Sequence, residues 1–568
     1  MLNNMKMRIK KVLEEELKKK FNQNLKVVIE EPKKASLGDL SIPVFSVVKA
    51  LKKPLPMVID IIKNELKSID ESEYFAKIES VSGFINITLN RAKFSKLVIE
   101  DYDRTFDYGR NHIGDNLIVC IDYSSPNIAK PFSIGHLRST IIGHSLGNIL
   151  EKCGYKVIRI NHLGDFGTQF GKIIYAYLNW GDKEAVKKNP VSELVKLYVE
   201  FNERAKKDSN LEVEARKIFK ELEQGKKEYV ALWEYIREES LKEYMKVYEL
   251  LGVSFDSYNG EAFYNDKMQR VIDELKTKNL LRKDQGAMIV DLGKDIPPAL
   301  IQKSDGSTLY ITRDLAALFY RKDRYNFDEV LYVVGNEQKL HFVQLKEVVS
   351  KMGYNFAKDI HHINFGLVLQ NGKKMSTRKG KIVKLEDVLH EASRLSLKYI
   401  NEKNPSLEDK EKISQKIGVS AVIFNDLKNY RTNDFEFDLE DMVNFVGQTG
   451  PYLQYTSVRI QSILDLAKSN TKTSLNYNLY EAEHYFDIIK NISMYEDIIV
   501  KTKEEYAPSI LAKYLLNLAS LFNSFYAKEK VIVEDPIERN TKLHLLKMTK
   551  GVLNDGMKLL GMQVISKM

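Results

Sequence analysis

The sequence predicts a multidomain protein, α/β through its first 404 residues and all-α beyond them. Three observations carry this. An apolar run at 117–121, of the kind a buried parallel strand shows, is followed by a loop, a helix and a second strand at 156–160, which together make a βαβ unit. Residues 175–280 are charged and helical in pattern and interrupt the alternation as an insertion. From 405 onward the apolar spacing is helical to the last residue. A length of 568 residues suits three or four domains at about 150 residues each.

Composition narrows the class further. Hydrophobic residues make up 43% and charged residues 29%, which excludes a wholly disordered chain. The 87 Lys and Arg against 78 Asp and Glu leave +9, an excess that permits a nucleic-acid partner where the cations cluster on one face. Two cysteines, Cys120 and Cys153, exclude a disulfide scaffold or a Cys-rich zinc module and suit a reducing compartment. No run approaches the roughly 18 apolar residues of a spanning helix. The first twenty residues have no apolar h-region, and Glu14, Glu15 and Glu16 argue against a transit peptide. A cytoplasmic protein is expected.

The elements follow in order. Residues 6–22 form an amphipathic helix with Ile9, Leu13 and Leu17 on one stripe. A helical stretch near 43–68 and the alternating strand 83–89 complete a small α/β domain, 1–107, closed by the turn-rich run Tyr108-Gly109-Arg110-Asn111. The core domain, 108–404, opens with the strand at 117–121 and a helix running from near His136 to a glycine cap at Gly154. Its α/β alternation resumes after the insertion with strands at 287–292, 329–334 and 362–369. Residues 405–448 read as a connecting helical region and 449–568 as a helical bundle. The one strand candidate beyond 405 is the short Val531-Ile532-Val533.

Two stretches carry chemistry. The loop 124–140, SSPNIAKPFSIGHLRST, lies between a buried strand and a helix N-terminus, where free backbone N–H groups and the macrodipole favour a phosphate. Gly135 lets a nucleotide approach the backbone closely, His136 can donate to a phosphate oxygen, and Lys130 adds positive charge. Taken alone, an ordinary βα loop with a helix cap fits the same residues. The second stretch is Gly372-Lys373-Lys374-Met375-Ser376-Thr377-Arg378-Lys379-Gly380-Lys381, with five cations between and beside glycines, just past a strand. A flexible basic loop of this kind closes over a triphosphate and stabilises the charge that develops as pyrophosphate leaves. A solvated basic turn is its bland competitor.

Together these stretches resemble the HIGH motif and the KMSKS loop of class I aminoacyl-tRNA synthetases. The runs NHLGDFGTQFG at 161–171, LYITRDLAAL at 309–318, NDLKNYRTNDFEFD at 425–438 and TGPYLQYTSVRI at 449–460 narrow the resemblance to the arginyl-tRNA synthetases. They occur in the family's order over nearly the whole chain. Two departures stand out. Ser133 replaces the first His of the HIGH pattern, and Thr377 replaces the second Lys of the KMSKS pattern, leaving Arg378, Lys379 or Lys381 to supply that cation.

The resemblance implies a Rossmann-type catalytic core and a two-step reaction. Arginine and ATP give arginyl-adenylate and pyrophosphate, and the arginyl group then passes to a hydroxyl of the terminal adenosine of the tRNA. The family resembles the glutamyl and glutaminyl enzymes in needing bound tRNA before activation. Carried over by position, catalytic roles fall to Ser133, Gly135, His136, Lys374, Met375, Ser376 and Arg378. ATP binding falls to Lys130, Ser133, Gly135, His136, Lys374 and Lys379. Arginine binding falls to Asp122, Asn127, Tyr310, Asp314 and Gln338, because a guanidinium offers five donors in a fork and calls for carboxylates and planar acceptors. His162 and Asp165 stand at another strand end, for a phosphate-side or a structural role. Tyr452, Tyr455 and Arg459 are RNA-contact candidates by stacking and phosphate neutralisation, whereas most apolar residues of 518–526 should be bundle core. The implied cofactors are ATP and the Mg²⁺ that accompanies it, with no protein-bound zinc. The implied partners are L-arginine and its tRNA, no membrane, and a monomeric enzyme. The N-terminal domain resembles the additional domain that grips the tRNA corner.

A rival reading is a catalytically impaired tRNA-binding paralogue of the same scaffold, motivated by Ser133 and Thr377. A synthetase for another amino acid is a third. Neutral or acidic substrates would gain nothing from Asp122 and Asp314, and a cysteinyl enzyme would want a zinc site that two cysteines do not readily build.

Overall fold

A computed structural model describes residues 2–32, 34–69, 74–303, 310–375, 377–378, 381–467 and 474–568. At positions 35, 377, 378, 381 and 382 it describes the backbone alone. The chain divides into two compact units. One comprises Met1–Arg110, Tyr455–Lys501 and Tyr514–Gly556, the other Asn111–Gln454, Thr502–Lys513 and Met557–Met568.

The first unit gathers the N-terminal 110 residues and two segments from late in the chain. Its N-terminal helix, Leu2–Phe21, buries Leu2, Ile9, Leu13 and Leu17, the stripe that the apolar spacing predicts. A three-stranded antiparallel sheet has Phe84–Leu89 in the middle, flanked by Leu40–Pro43 and Phe75–Val81. The helical stretch expected over 43–68 is two helices, Phe45–Leu51 and Leu55–Ile69. Lys52 closes the first in the left-handed region at φ 51°, and Pro54 cannot continue it. The N-terminal elements pack on helices from late in the chain. Phe94 meets Phe486 edge-on at 5.8 Å, and Lys490 pairs with Glu31 at 2.8 Å. Leu518, Ala519, Phe522 and Phe525 are fully buried while Tyr526 is exposed, as bundle-core spacing requires. Val531-Ile532-Val533, expected as a short strand, forms none, because the stretch bends and has no partner strand.

The second unit holds the parallel sheet. Its four strands lie in the order Ile360–His362, Glu329–Tyr332, Ile118–Asp122, Lys156–Ile160, every neighbouring pair parallel. The chain leaves Ile118–Asp122 toward one edge and later returns to pair on its other side. A crevice therefore opens beyond the C-terminal strand ends at that switch point, where open α/β sheets bind ligands. The helix Leu137–Lys152 is buried nearly all round, and its last turn is followed by Gly154 at φ +92°.

Three expectations are corrected here. The strand expected at 287–292 is not part of the parallel sheet. It is Ala287–Val290, the middle strand of a separate antiparallel sheet with Leu281–Asp284 and Ala299–Gln302. Gln285 and Gly286, both at positive φ, form its two-residue hairpin loop. The strand expected at 362–369 is two, Ile360–His362 and Val368–Gln370, which belong to different sheets. The stretch 405–448 is not a purely helical connector. Phe435–Glu436 is a strand that pairs in parallel with Val368–Gln370, and the helix Lys410–Leu427 is buried along most of its length.

Candidate active site

A cavity of about 300 Å³ opens at the switch point. The turn Ser133–His136 forms one wall, and Gly335, Glu337 and the segment Phe365–Val368 form another, with Arg138 and Lys374 at its edge. Gly135 presents an open face, since a Cβ there would meet only Ser133 Oγ at 3.4 Å.

His136 is set by its neighbour three residues back. The Ser133 backbone N–H donates to His136 Nδ1 at 3.1 Å, with the Ser133 hydroxyl 3.2 Å from the same nitrogen. A backbone N–H only donates, so Nδ1 accepts and the ring proton resides on Nε2. Burial pushes the imidazole down to about 4, with Lys130 adding to the effect and the Ser133 backbone bond opposing it. At neutral pH His136 is thus an uncharged donor. Ser133 does more than replace a histidine: its backbone fixes the tautomer of the histidine that remains.

The insertion braces this loop. Its long helix, Lys227–Leu251, places the Tyr244 hydroxyl 2.7 Å from the Asn127 carbonyl oxygen and 2.6 Å from that of Lys130. Tyr248 shares a 2.8 Å hydrogen bond with Ser124 Oγ and accepts one from Asn161 at 2.9 Å. The Ala129 N–H donates to Ser240 at 3.2 Å. Ser124, Ser125 and Ala129 all sit at positive φ, a conformation non-glycine residues keep only where the surroundings fix it. The side chains of Asn127 and Lys130 remain exposed. Tyr244, Tyr248 and Ser240 escaped the sequence reading, since buried helical aromatics look like any core stripe.

The basic stretch starts as a hairpin. Val368–Gln370 pairs with Lys373–Lys374 around Asn371 and Gly372, both at positive φ, the Asn-Gly loop that two-residue hairpins favour. Lys374 is exposed, its Nζ 3.8 Å from Glu337. Met375 is buried, and its N–H donates to the Val368 carbonyl at 2.9 Å, so it anchors the hairpin. Ser376 and Lys379 lie outside the described residues. Arg378 is described through its backbone, which pairs with Lys381. The far stem is tied to the HIGH-like turn. Ile134 N–H donates to Val383 O at 3.0 Å, and Leu385 N–H to Phe132 O at 2.9 Å.

The acidic residues divide into two clusters. Asp122 ends the central strand, but its carboxylate is already engaged. Arg321 donates to Oδ2 at 2.7 Å and Ser125 to Oδ1 at 2.9 Å, with the Asp122 and Arg321 side chains 8% and 1% exposed. Asp122, an arginine-binding candidate, is thus held from within the fold by Arg321 and Ser125. Arg321 also donates to His162 Nδ1 at 3.1 Å, which leaves His162 neutral, as burial also favours. Asp165 is structural too, accepting from Arg237 at 2.8 Å and from the Ala262 N–H at 2.9 Å.

Asp314 is placed differently. It shares the helix Tyr310–Tyr325 with Tyr310, one turn away. Burial works to raise the Asp314 carboxyl, but the 2.6 Å hydrogen bond with His341, and the charges of His341, His162 and Arg321, hold it below its ordinary value. It is ionised, with one oxygen on His341. His341 lies one turn along Lys339–Lys351 from Gln338, which is exposed at that helix's start. The structure therefore brings Tyr310, Asp314 and Gln338 to neighbouring helix ends through His341, a residue the sequence did not single out. Nearby, Arg313 sits 3.5 Å from Glu261. Burial pushes the Glu261 carboxyl up to about 7, with Arg313 opposing and Asp314 and Asp165 adding to the rise.

Tyr452, Tyr455 and Arg459 all lie on the helix Gly450–Ala467. Tyr452 belongs to the second unit, and Tyr455 and Arg459 to the first. Arg459 lies over the exposed ring of Tyr455 at 4.7 Å and donates to Asn523 at 2.8 Å. Among the described residues no group of three or more His, Cys, Asp or Glu side chains could hold a metal ion, and no helix is long and apolar enough to cross a membrane.

Comparison with known proteins places these features in a family. The profile described as tRNA synthetases class I (R), catalytic domain, matches residues 105–439. Those of the arginyl tRNA synthetase N-terminal domain and the DALR anticodon binding domain match 7–89 and 453–568. The chain is 47% identical to the arginine–tRNA ligase of Streptococcus mutans over 95% of this chain and 96% of that protein. It is 47% identical to the ligase of Enterococcus faecalis over 98% of each. Among solved structures, the arginyl-tRNA synthetase of Plasmodium falciparum is 26% identical with a TM-score of 0.82, covering 99% of both chains. That of Thermus thermophilus, 22% identical with a TM-score of 0.83 over 99% of this chain and 100% of that one, shares the fold.

Proposed function

The chain belongs to the class I arginyl-tRNA synthetase family, and from that premise we propose how its residues join L-arginine to tRNA as ATP is cleaved to AMP and pyrophosphate. The arginine carboxylate attacks the α-phosphate of ATP, the bond to pyrophosphate breaks, and a mixed arginyl-adenylate anhydride remains. A hydroxyl of the terminal adenosine of the tRNA then attacks the arginyl carbonyl, and AMP departs.

The protein's task in the first step is positioning and charge stabilisation. The neutral His136 donates from Nε2 to a phosphate oxygen, beside the Ser133 hydroxyl and the open face of Gly135. Lys130 contributes field from the exposed end of its loop. Lys374, with Arg378 and Lys379 further along, stabilises the departing pyrophosphate, while Met375 and Ser376 belong to the loop that carries them. Mg²⁺ brought in with ATP would neutralise phosphate charge. Glu337 is the carboxylate at that cavity wall, which fits a cation held chiefly by phosphate and water.

Asp314 reads the arginine guanidinium through its free oxygen, with Tyr310 and Gln338 beside it and Asn127 at the strand end. Asp122, at the end of the central strand and paired with Arg321, completes the arginine-binding set. Tyr452, Tyr455 and Arg459 contact tRNA. The enzyme works as a cytoplasmic monomer; Cys120 and Cys153 are buried and form no disulfide, which suits a reducing compartment.

The observation that carries this reading is the tautomer of His136, fixed by Ser133 at the wall of a cavity that Lys374 also lines. The 47% identity to arginine–tRNA ligases over nearly the whole chain speaks against the impaired paralogue. The test is ATP–pyrophosphate exchange with arginine, with and without tRNA. Exchange is expected with tRNA and Mg²⁺ present; none under those conditions rejects the enzyme reading.

A further inference from the structure

A loop at 428–434 joins the helix Lys410–Leu427 to the strand Phe435–Glu436. Arg431, in that loop, is half-buried. Its Nη1 donates to the Asn364 carbonyl at 2.7 Å and to the Asn364 side-chain oxygen at 2.9 Å. Its Nε donates to the Tyr506 carbonyl at 3.0 Å. All three acceptors are uncharged, so what the guanidinium supplies here is direction: its rigid planar fork fixes the groups that it bridges.

The Asn364 side of the fork leads to the nucleotide cavity. Asn364 donates to the Asn336 side-chain oxygen at 2.8 Å, and the Asn336 N–H donates to the Phe365 carbonyl at 3.0 Å. The Gly366 N–H donates to the Arg431 carbonyl at 2.9 Å, and the Leu367 N–H to Asp434 at 2.6 Å. Gly366 is pressed against the same loop, where a Cβ would come within 2.6 Å of the Asn433 backbone. Gly335 and Phe365–Val368 form one wall of the cavity, so that wall hangs from the loop around Arg431.

The Tyr506 side leads to a different part of the chain. Tyr506 lies in the turn between the helices Tyr495–Glu504 and Pro508–Lys528, at φ +47°, a conformation that a non-glycine residue keeps only where its surroundings fix it. Glu329, the first residue of the strand Glu329–Tyr332, holds the turn, accepting from the Tyr506 hydroxyl at 2.7 Å and from Lys503 at 3.1 Å. Thr502–Lys513 belongs to the second unit, whereas the chain before and after it, Tyr455–Lys501 and Tyr514–Gly556, belongs to the first. A turn of the anticodon-binding region, 453–568, is thus bonded into the unit that holds the parallel sheet.

We infer that Arg431 is a positioning residue for adenylate formation: its fork ties the wall that receives ATP to the turn 503–507 of the anticodon-binding region, so that tRNA held by that region tightens the hold on ATP. The inference rests on the proposed function and deepens it, by assigning a residue to the link between tRNA and the first step. Ligands linked in this way strengthen each other by the same factor.

The test is the Kd for ATP, measured by isothermal titration calorimetry on the full-length enzyme, alone and saturated with an arginine tRNA transcript. In the parent, tRNA is expected to lower the Kd for ATP, and ATP to lower the Kd for tRNA by the same factor. Arg431→Lys keeps the charge and loses the fork. It should weaken ATP binding to the tRNA complex on the order of 10-fold and erase most of the tRNA effect. A merely structural fork would instead lower the Tm of this variant and leave the tRNA effect intact. Tyr506→Phe removes an anchor of the turn on Glu329 with Arg431 in place, and should shrink the same effect. The two changes together should do no more than Arg431→Lys alone, because they break one connection. Parental coupling in Arg431→Lys, additive losses in the double variant, or a parental Kd for ATP that tRNA leaves unmoved would each overturn the inference. Charging by the parent enzyme, run in parallel, separates the two readings. If it charges while tRNA leaves ATP binding unmoved, only the role of Arg431 falls. If it does not charge, the proposed function falls and takes the inference with it.

Discussion

Arg138, two residues beyond His136, donates from Nε to both carboxylate oxygens of Asp426 at 3.1 Å, and both side chains are 1% exposed. Arg138 Nη1 also donates to the Asn433 carbonyl at 2.9 Å, and its guanidinium lies over the Phe435 ring at 5.1 Å. One buried ion pair thus joins the HIGH-like turn to the run at 425–438. Removing one partner of such a pair leaves an uncompensated buried charge. Asp426→Ala should cost about 3–5 kcal/mol, read as a lowered Tm or denaturation midpoint. The Arg138→Leu, Asp426→Leu double variant should recover most of that loss.

Replacing His136 by Asn removes the fixed phosphate donor. A fall in kcat on the order of 10²–10³ is expected, measured by ATP–pyrophosphate exchange, with an unchanged Tm.

The acid side of the stability profile carries the signature of the same residue. His136 is held near 4 when folded, well below the roughly 6.5 of an unfolded histidine. Between those values the unfolded chain binds more protons, so this contribution is complete above about 6.5 and is lost as the pH falls toward 4. His144, also pushed down to about 4 by burial and Arg159, adds in the same direction. His136→Asn should flatten the fall in Tm between pH 6.5 and 4.

Glu261 behaves oppositely. Its folded value near 7 lies above the ordinary carboxyl range, so the folded chain binds the extra proton. Its contribution is present at low pH and is lost as the pH rises through about 7. Glu261→Gln should gain stability relative to the parent between pH 5 and pH 8, measured by paired thermal melts. A constant difference would place Glu261 in solvent.

Tyr248→Phe removes the hydroxyl that links Ser124 to Asn161 in the buried brace behind the nucleotide loop. A loss of about 1–3 kcal/mol in stability and a raised KM for ATP are expected, with the KM for tRNA unchanged. Unequal effects on the two substrates distinguish a loop effect from general unfolding.

The sequence carried much of this because several signals are local. The apolar runs at 117–121 and 156–160 announce parallel strands, and the Asn371-Gly372 pair marks the hairpin that opens the basic loop. His136 and Lys374 were legible because their neighbours form motifs. The short strand Phe435–Glu436 was hidden, since two residues leave no alternation to read and its pairing with Val368–Gln370 is set by chain far away. Asp122 was assigned to arginine by the resemblance, position by position. Only the fold shows that Arg321, far along the chain, pairs with it. His341, Tyr244 and Tyr248 act through contacts across elements, which no local spacing reveals.

The most direct measurement is steady-state charging of tRNA by the parent enzyme and by Asp314→Asn, with each amino acid offered in turn. The parent is expected to charge arginine alone. Asp314→Asn should raise the KM for arginine about 10–100-fold, the worth of one charge-assisted hydrogen bond, while the KM for ATP stays put. Charging of another amino acid, or an Asp314→Asn enzyme with the parental KM for arginine, would contradict the account.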